Sequence, residues 1–266
     1  MKQEFFRAER TLTFVALADR YHELMDLRNE GFRKYRSAQI NGFFAPPFKV
    51  SMPTVGIRLP ASPSVKIGPL YIADNPPIKL FINEYFKSAS TPVTVLEIGP
   101  GKGTLARHFR SMYPDLINDY FGIERDVNVK GPYTCVSRPA ELRGDADLLI
   151  ASEVAEHMSA DEFYDDFLIP AATKLSDDGV FIMGVPNALS PHSIFLDFSH
   201  VQAYPWYDLY AILRLAFKQV DVYRTHYVWS ATRLLTLLPR IALTKALEFD
   251  WCDGIVCRAH EPLKLA

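Results

Sequence analysis

Three glycines at alternate positions close an apolar run, Val95-Leu96-Glu97-Ile98-Gly99-Pro100-Gly101-Lys102-Gly103. Glycine has no Cβ, so a backbone built from it turns tightly and lets a ligand come close. An apolar strand that ends in such a turn and opens a helix suits a nucleotide-like ligand, and equally a plain strand–helix connection. Glu97 sits at the strand end, where a carboxylate accepts a hydrogen bond from a ligand ammonium group. Phe121-Gly122-Ile123-Glu124 ends the next strand with a second carboxylate. Its distance of about 20 residues past the glycines suits the two hydroxyls of a ribose.

Other reactive side chains gather in two later stretches. The first is Ser152-Glu153-Val154-Ala155-Glu156-His157, at the end of a strand starting near Asp147. The second runs from Pro186-Asn187 through Pro191-His192 to Asp197-Phe198-Ser199-His200, then Tyr204-Pro205-Trp206. Imidazole ordinarily titrates near neutrality, so His157 and His200 are candidate general bases. Either also serves as a plain capping or loop residue. Asp197, three residues before His200, orients it, binds an acceptor hydroxyl, or forms a local turn. His157 precedes a helix expected to lead away from the cleft, which favours His200 as the base. Tyr204 and Trp206 offer flat faces for a sugar ring, or anchor the following helix in the core.

The elements that position these groups follow from periodicity. Strands are expected at Thr94–Ile98, Tyr120–Glu124, Thr134–Ser137, Leu148–Ser152, Val180–Val185, Gln219–Tyr227 and Gly254–Ala259. Helices fall at Gly103–Met112, Asp161–Leu175 and Trp206–Phe217. Such alternation predicts a doubly wound α/β fold with a mostly parallel sheet. Ahead of it, Phe14, Leu17, Tyr21, Leu24 and Leu27 recur at helical spacing, predicting an amphipathic helix from Thr11 to about Ala38. Prolines at 46, 47, 53, 60, 63, 69, 76 and 77 forbid a long helix over Asn41–Pro77 and argue against a central strand. That segment is expected to be extended, as a lid or arm, and Ile78–Ser88 to be a short helix. The chain divides into an N-terminal helical and extended region, 1–90, and a catalytic domain, 91–266.

Composition narrows the partners. The 266 residues are 48% hydrophobic and 23% charged, with a formal net charge of -2, so bulk charge gives no case for nucleic acid. Three cysteines without metal-ligand spacing fit free thiols in a reducing, cytoplasmic setting. The polar N-terminus lacks a secretory pattern, and no apolar run is long enough to span a bilayer. Between Trp229 and Phe249, leucines alternate with Arg233, Arg240 and Lys245 around Pro239. This stretch is expected as two short helices that pack on the sheet, form a subunit contact, or touch a membrane surface. Oligomeric state is left open.

The glycine run, Glu124, Glu153-Val154-Ala155-Glu156-His157 and Pro186-Asn187 together resemble class I S-adenosylmethionine-dependent methyltransferases. The resemblance covers roughly Val93 to Tyr227 and implies a seven-stranded, Rossmann-like sheet whose final strand is antiparallel. It implies that Gly99, Gly101 and Gly103 line S-adenosyl-L-methionine, that Glu97 meets its ammonium and that Glu124 binds its ribose. Ser152 and Glu153 then lie near the methionine end. Many relatives place an Asp after the third strand to meet adenine; this chain reads Ser137-Arg138-Pro139-Ala140-Glu141, which leaves that contact unassigned. The loop from Pro186 to Trp206 looks like that of sugar O-methyltransferases of glycan biosynthesis, which implies a glycan or small-molecule acceptor. Glu153, Glu156, His157 and His200 also resemble the metal-binding set of small-RNA 3′-terminal 2′-O-methyltransferases. The Glu-x-x-Glu-His step is similar to that of quinone-type O-methyltransferases. A catalytically silent scaffold of the same fold is the non-enzymatic alternative.

Overall fold

The computed structural model describes residues 17, 19–40, 54–57, 65–67, 70–72, 78–125, 128–189, 199–228, 235–236, 239 and 253–264. Helix α1 spans Tyr21–Ile40. Three short strands follow, β1 (Thr54–Ile57), β2 (Val65–Ile67) and β3 (Leu70–Ile72), then helix α2 (Ile78–Ser88). The alternating part begins with β4 (Val93–Ile98), α3 (Thr104–Met112), β5 (Ile117–Ile123), β6 (Thr134–Val136) and β7 (Ala146–Ser152). It continues with α4 (Ala160–Glu162), π-helical turns at Phe163–Leu168 and α5 (Ile169–Thr173). The last elements are β8 (Leu175–Pro186), α6 (Trp206–Arg214), β9 (Phe217–Val228) and β10 (Gly254–Pro262).

All ten described strands form one sheet, ordered β2-β3-β1-β9-β10-β8-β7-β4-β5-β6. The seven expected strands are all present. β10 runs antiparallel to both β8 and β9, between which it lies. The chain departs from expectation at β1, which pairs in parallel with β3 on one side and β9 on the other. Thr54–Ile57 itself holds no proline, since Pro53 and Pro60 lie outside it, so every residue of the strand keeps its N–H for the ladder.

Strand alternation sorts the core onto two faces. Leu96, Ile98, Leu149, Ala151, Phe181 and Met183 join one buried cluster, with residues of α6 and of the α4–α5 segment. Their neighbours Val95, Leu148, Ile150, Val180 and Ile182 join the other, with α2 and α3. A sheet covered on both faces explains strands that read as continuous apolar runs. In α2, Ile78, Phe81, Ile82 and Phe86 are buried, at the spacing of one helical face, and Phe86 stacks on Tyr113 and meets Phe109 at a tilt.

Two helices end earlier than their periodicity suggests. Leu175 and Phe217, the apolar residues that extend the pattern, already belong to β8 and β9. Pro170 offers no N–H to the preceding turn, and the helix widens into π turns just ahead of it. Helix α1 begins at Tyr21; residues 11–16 of the expected helix lie outside the described residues. So do the eight prolines of 41–77, Cys252, and residues 229–249 apart from 235–236 and 239. Among the described residues no helix is long and apolar enough to cross a membrane. Cys135 is exposed and Cys257 buried, and both are free thiols.

Candidate functional site

The glycine turn sits where β4 ends and α3 begins. Gly99, Gly101 and Gly103 all have positive φ, at 64°, 50° and 71°. A Cβ on Gly99 would lie 2.5 Å from Cγ2 of Val154, and one on Gly103 would lie 2.5 Å from Cδ of Pro132. These two positions are closed by protein. Gly101 is different: a Cβ there would meet nothing within 4 Å among the described residues. The open space lies at the middle of the turn, where a ligand can approach bare backbone.

Two carboxylates flank that opening. Glu124, one residue beyond β5, accepts the Gly101 N–H at Oε2 over 3.0 Å. It therefore braces the turn as well as standing beside it. Glu97 is 3% exposed and accepts the Tyr120 hydroxyl at 2.6 Å. Burial pushes its carboxyl up to about 7; the Tyr120 hydrogen bond pulls the other way and the Glu124 charge adds to the rise. Tyr133 completes the wall. Its hydroxyl donates to the Gly101 carbonyl at 2.7 Å, and its ring occupies the space that side chains on Gly103, Gly122 and Gly131 would need. Sequence reasoning missed both tyrosines; the glycines beside Tyr133 were the available signal.

Beyond β7 the chain makes a sharp turn at Glu153, whose φ of 52° is rare for a residue with a side chain. Its N–H donates to the Gly184 carbonyl at 2.9 Å. The Glu153 side chain reaches solvent, yet the recess around it is crowded. Desolvation raises its carboxyl to about 7, opposed by a hydrogen bond with Glu156. Ser152 is half-buried at the strand end. The next residues form a single tight turn, Ala155–His157, with Glu156 buried at 2% exposure.

That turn holds the second reactive stretch in place. The Glu156 carbonyl accepts the N–H groups of Val201 and Gln202, at 2.8 and 3.1 Å. His157 Nδ1 lies 3.2 Å from the Ser199 carbonyl oxygen and 3.1 Å from its hydroxyl. A carbonyl only accepts, so the bond to it selects the Nδ1–H tautomer and leaves Nε2 as the basic nitrogen. The rings of His157 and His200 meet edge-to-face, with centroids 4.9 Å apart. His157 is thus brought to His200, against the expectation that its helix carries it away, because α4 starts only after the tight turn. Glu156, His157 and His200 each bring one ligand atom within 4.8 Å of the others. His200 Nδ1 is buried without a hydrogen-bond partner among the described residues.

Tyr204 and Trp206 are 2% and 4% exposed and belong to the core, so neither presents a face to a sugar. Burial raises the Tyr204 hydroxyl well above its usual range, and the Glu156 charge adds to the rise. Asp197 and His192 lie outside the described residues.

The family model for a methyltransferase domain matches residues 73–240. No curated protein matches the chain. Among solved structures, an S-adenosylmethionine-dependent methyltransferase from Archaeoglobus fulgidus is 16% identical; the match covers 68% of this chain and 92% of that one, with a TM-score of 0.49. One from Mesorhizobium loti is 12% identical, with 68% and 97% covered and a TM-score of 0.42. Phosphoethanolamine N-methyltransferase 2 from Haemonchus contortus is 13% identical, with 69% and 52% covered and a TM-score of 0.44.

Proposed function

The chain belongs to the methyltransferase family, and we propose that it uses S-adenosylmethionine to methylate a hydroxyl of a sugar acceptor. The observation that carries this reading is the His157–His200 pair, placed on the two loops that follow β7 and β8. Ligands of open α/β sheets bind outside the carboxyl ends of the strands, where both loops and the glycine turn stand.

S-adenosylmethionine supplies a methyl group on a sulfonium, ready for in-line displacement. The chain's own residues then divide the work. The open backbone at Gly101, between Gly99 and Gly103, fits the approach of the cofactor. Glu97 would accept a hydrogen bond from its ammonium and Glu124 from its ribose hydroxyls, while Ser152 and Glu153 would border the methionine end. A neutral hydroxyl is a weak nucleophile, so the acceptor needs a base within hydrogen-bond reach. His200 takes that proton, Asp197 orients His200, and His157 packs against its ring. The same reading keeps the enzyme in the cytoplasm, acting on a glycan or small molecule, with residues 91–266 as the catalytic domain.

Glu156, His157 and His200 support a second reading, in which they hold a divalent cation. One carboxylate and two imidazoles suit such an ion. It would polarise a vicinal diol, the arrangement implied by the likeness to RNA 3′-terminal 2′-O-methyltransferases.

Methyl-labelled cofactor offered with nucleotide sugars, glycosides, phenols and short RNAs tests the acceptor. Label in a sugar ether is the expected result; label confined to RNA or to a phenol overturns it.

A further inference from the structure

The two imidazoles stand on loops that lead into different helical segments. His157 precedes α4 by three residues, and His200 precedes α6 by six. Helix α1 and the residues just before it touch both segments. At one end, the Leu17 N–H donates to Asp161 Oδ1 at 3.2 Å, and Arg20 donates to the Tyr164 hydroxyl. These contacts fall on α4 and the π-helical turns. Farther along, Arg28 pairs with Asp208 at 3.1 Å and lies over the Tyr207 ring at 4.5 Å. Phe32 meets Trp206 edge-on at 5.4 Å and Tyr207 at 4.8 Å. These contacts fall on the first turn of α6.

The contact with α6 is closer than ordinary side chains allow. A Cβ on Gly31 would lie 2.9 Å from Cδ1 of Tyr210. Tyr210 is itself 1% exposed and donates its hydroxyl to Glu30 at 3.0 Å, so its ring has little room to retreat. Tyr204, just before α6, closes the triangle by meeting Phe163 of the π-helical turns at 6.2 Å.

We infer that α1 is a brace for the acceptor side: by gripping α4 and α6 together it fixes the spacing of His157 and His200. Phe32, Gly31 and Arg28 are positioning residues in this scheme. The catalytic meaning of the brace rests on the proposed role of the imidazole pair. The glycine turn belongs to other elements, β4 and α3, whose helix packs on the opposite face of the sheet. Loosening α1 therefore acts first on the segments that carry the imidazoles.

The test uses the full chain labelled with ¹⁵N-histidine, with the two imidazole signals assigned by His157→Gln and His200→Gln. Phe32→Ala should displace both signals, and Phe32→Leu should return them most of the way. Gly31→Ala, which pushes α1 off Tyr210, should act in the same direction and carries the test if Phe32→Ala does not fold. Imidazole signals unchanged in both variants overturn the brace. The signals report spacing and not turnover, so a failed brace is distinguishable from a failed base assignment. The first leaves the signals unmoved; the second leaves turnover intact in His200→Ala.

Discussion

Tyr120 donates its hydroxyl to Glu97 at 2.6 Å inside the core beneath the glycine turn. The pair controls how readily the carboxylate is available to a cationic ligand. With its carboxyl pushed up to about 7 by burial, Glu97 is partly protonated in the free protein at neutral pH. A ligand ammonium needs the ionised form, so S-adenosylhomocysteine should bind more tightly as pH rises through about 7. Tyr120→Phe removes the bond that lowers this value and should move the midpoint upward. Calorimetry across this range decides it; an affinity independent of pH would remove Glu97 from the ammonium site.

The same group predicts a linkage to stability. An acid raised on folding stabilises fully below its unfolded value, here 4.5, and loses that contribution as pH rises through about 7. The free protein should therefore gain more thermal stability from S-adenosylhomocysteine above pH 7 than below it. Equal shifts in melting temperature on both sides would count against the assignment.

Glu124→Ala should weaken S-adenosylhomocysteine binding by about 1.5–3 kcal/mol per charged hydrogen bond lost. Part of that loss comes from the turn, since Glu124 also holds the Gly101 N–H. Glu124→Gln retains an acceptor for that N–H and should recover only the part due to the turn. If calorimetry finds both variants binding like wild type, Glu124 has no place in the site.

Gly99→Ala should destabilise the fold for two separable reasons. A residue with a Cβ at a φ of 64° costs about 1–2 kcal/mol, and its Cβ would also strike Val154 at 2.5 Å. Adding Val154→Ala should recover the steric part and leave the backbone part. Thermal melts of the two single variants and the double variant measure the coupling; strict additivity would mean that the contact does not matter.

His200→Ala should lower turnover by roughly 10²–10⁴-fold, the usual span for a general base, with little change in cofactor affinity. A variant that keeps most of its turnover would move the role to His157. Chelation separates this from the cation reading. If Glu156, His157 and His200 hold an ion, EDTA should abolish turnover, added divalent metal should restore it, and His200→Ala should lose metal binding measured directly by calorimetry.

The glycine turn was legible in the sequence because it is local. A strand, three glycines and a helix follow one another without interruption, and Glu124 closes the adjacent strand. Tyr120 was not legible as the partner of Glu97, because only the pairing of β4 with β5 brings the two strands side by side. The His157–His200 cluster depends still more on distant contacts. His157 meets His200 because the Glu156 carbonyl captures two N–H groups of the later loop, which no spacing rule announces. Tyr204 and Trp206 carry the same residue types whether they face a ligand or a core, so only packing could decide between those readings. For β1, proline density was a misleading signal, because the strand lies between Pro53 and Pro60 and holds none itself.

The place of β10 has a consequence for synthesis. It lies between β8 and β9, hydrogen-bonded to both, yet the ribosome makes it after either of them. Until residues 254–262 emerge, β8 and β9 each lack a partner on the edge that β10 occupies. The sheet thus cannot close between β8 and β9 until that strand is made. During that interval it is exposed to mispairing and to capture by chaperones.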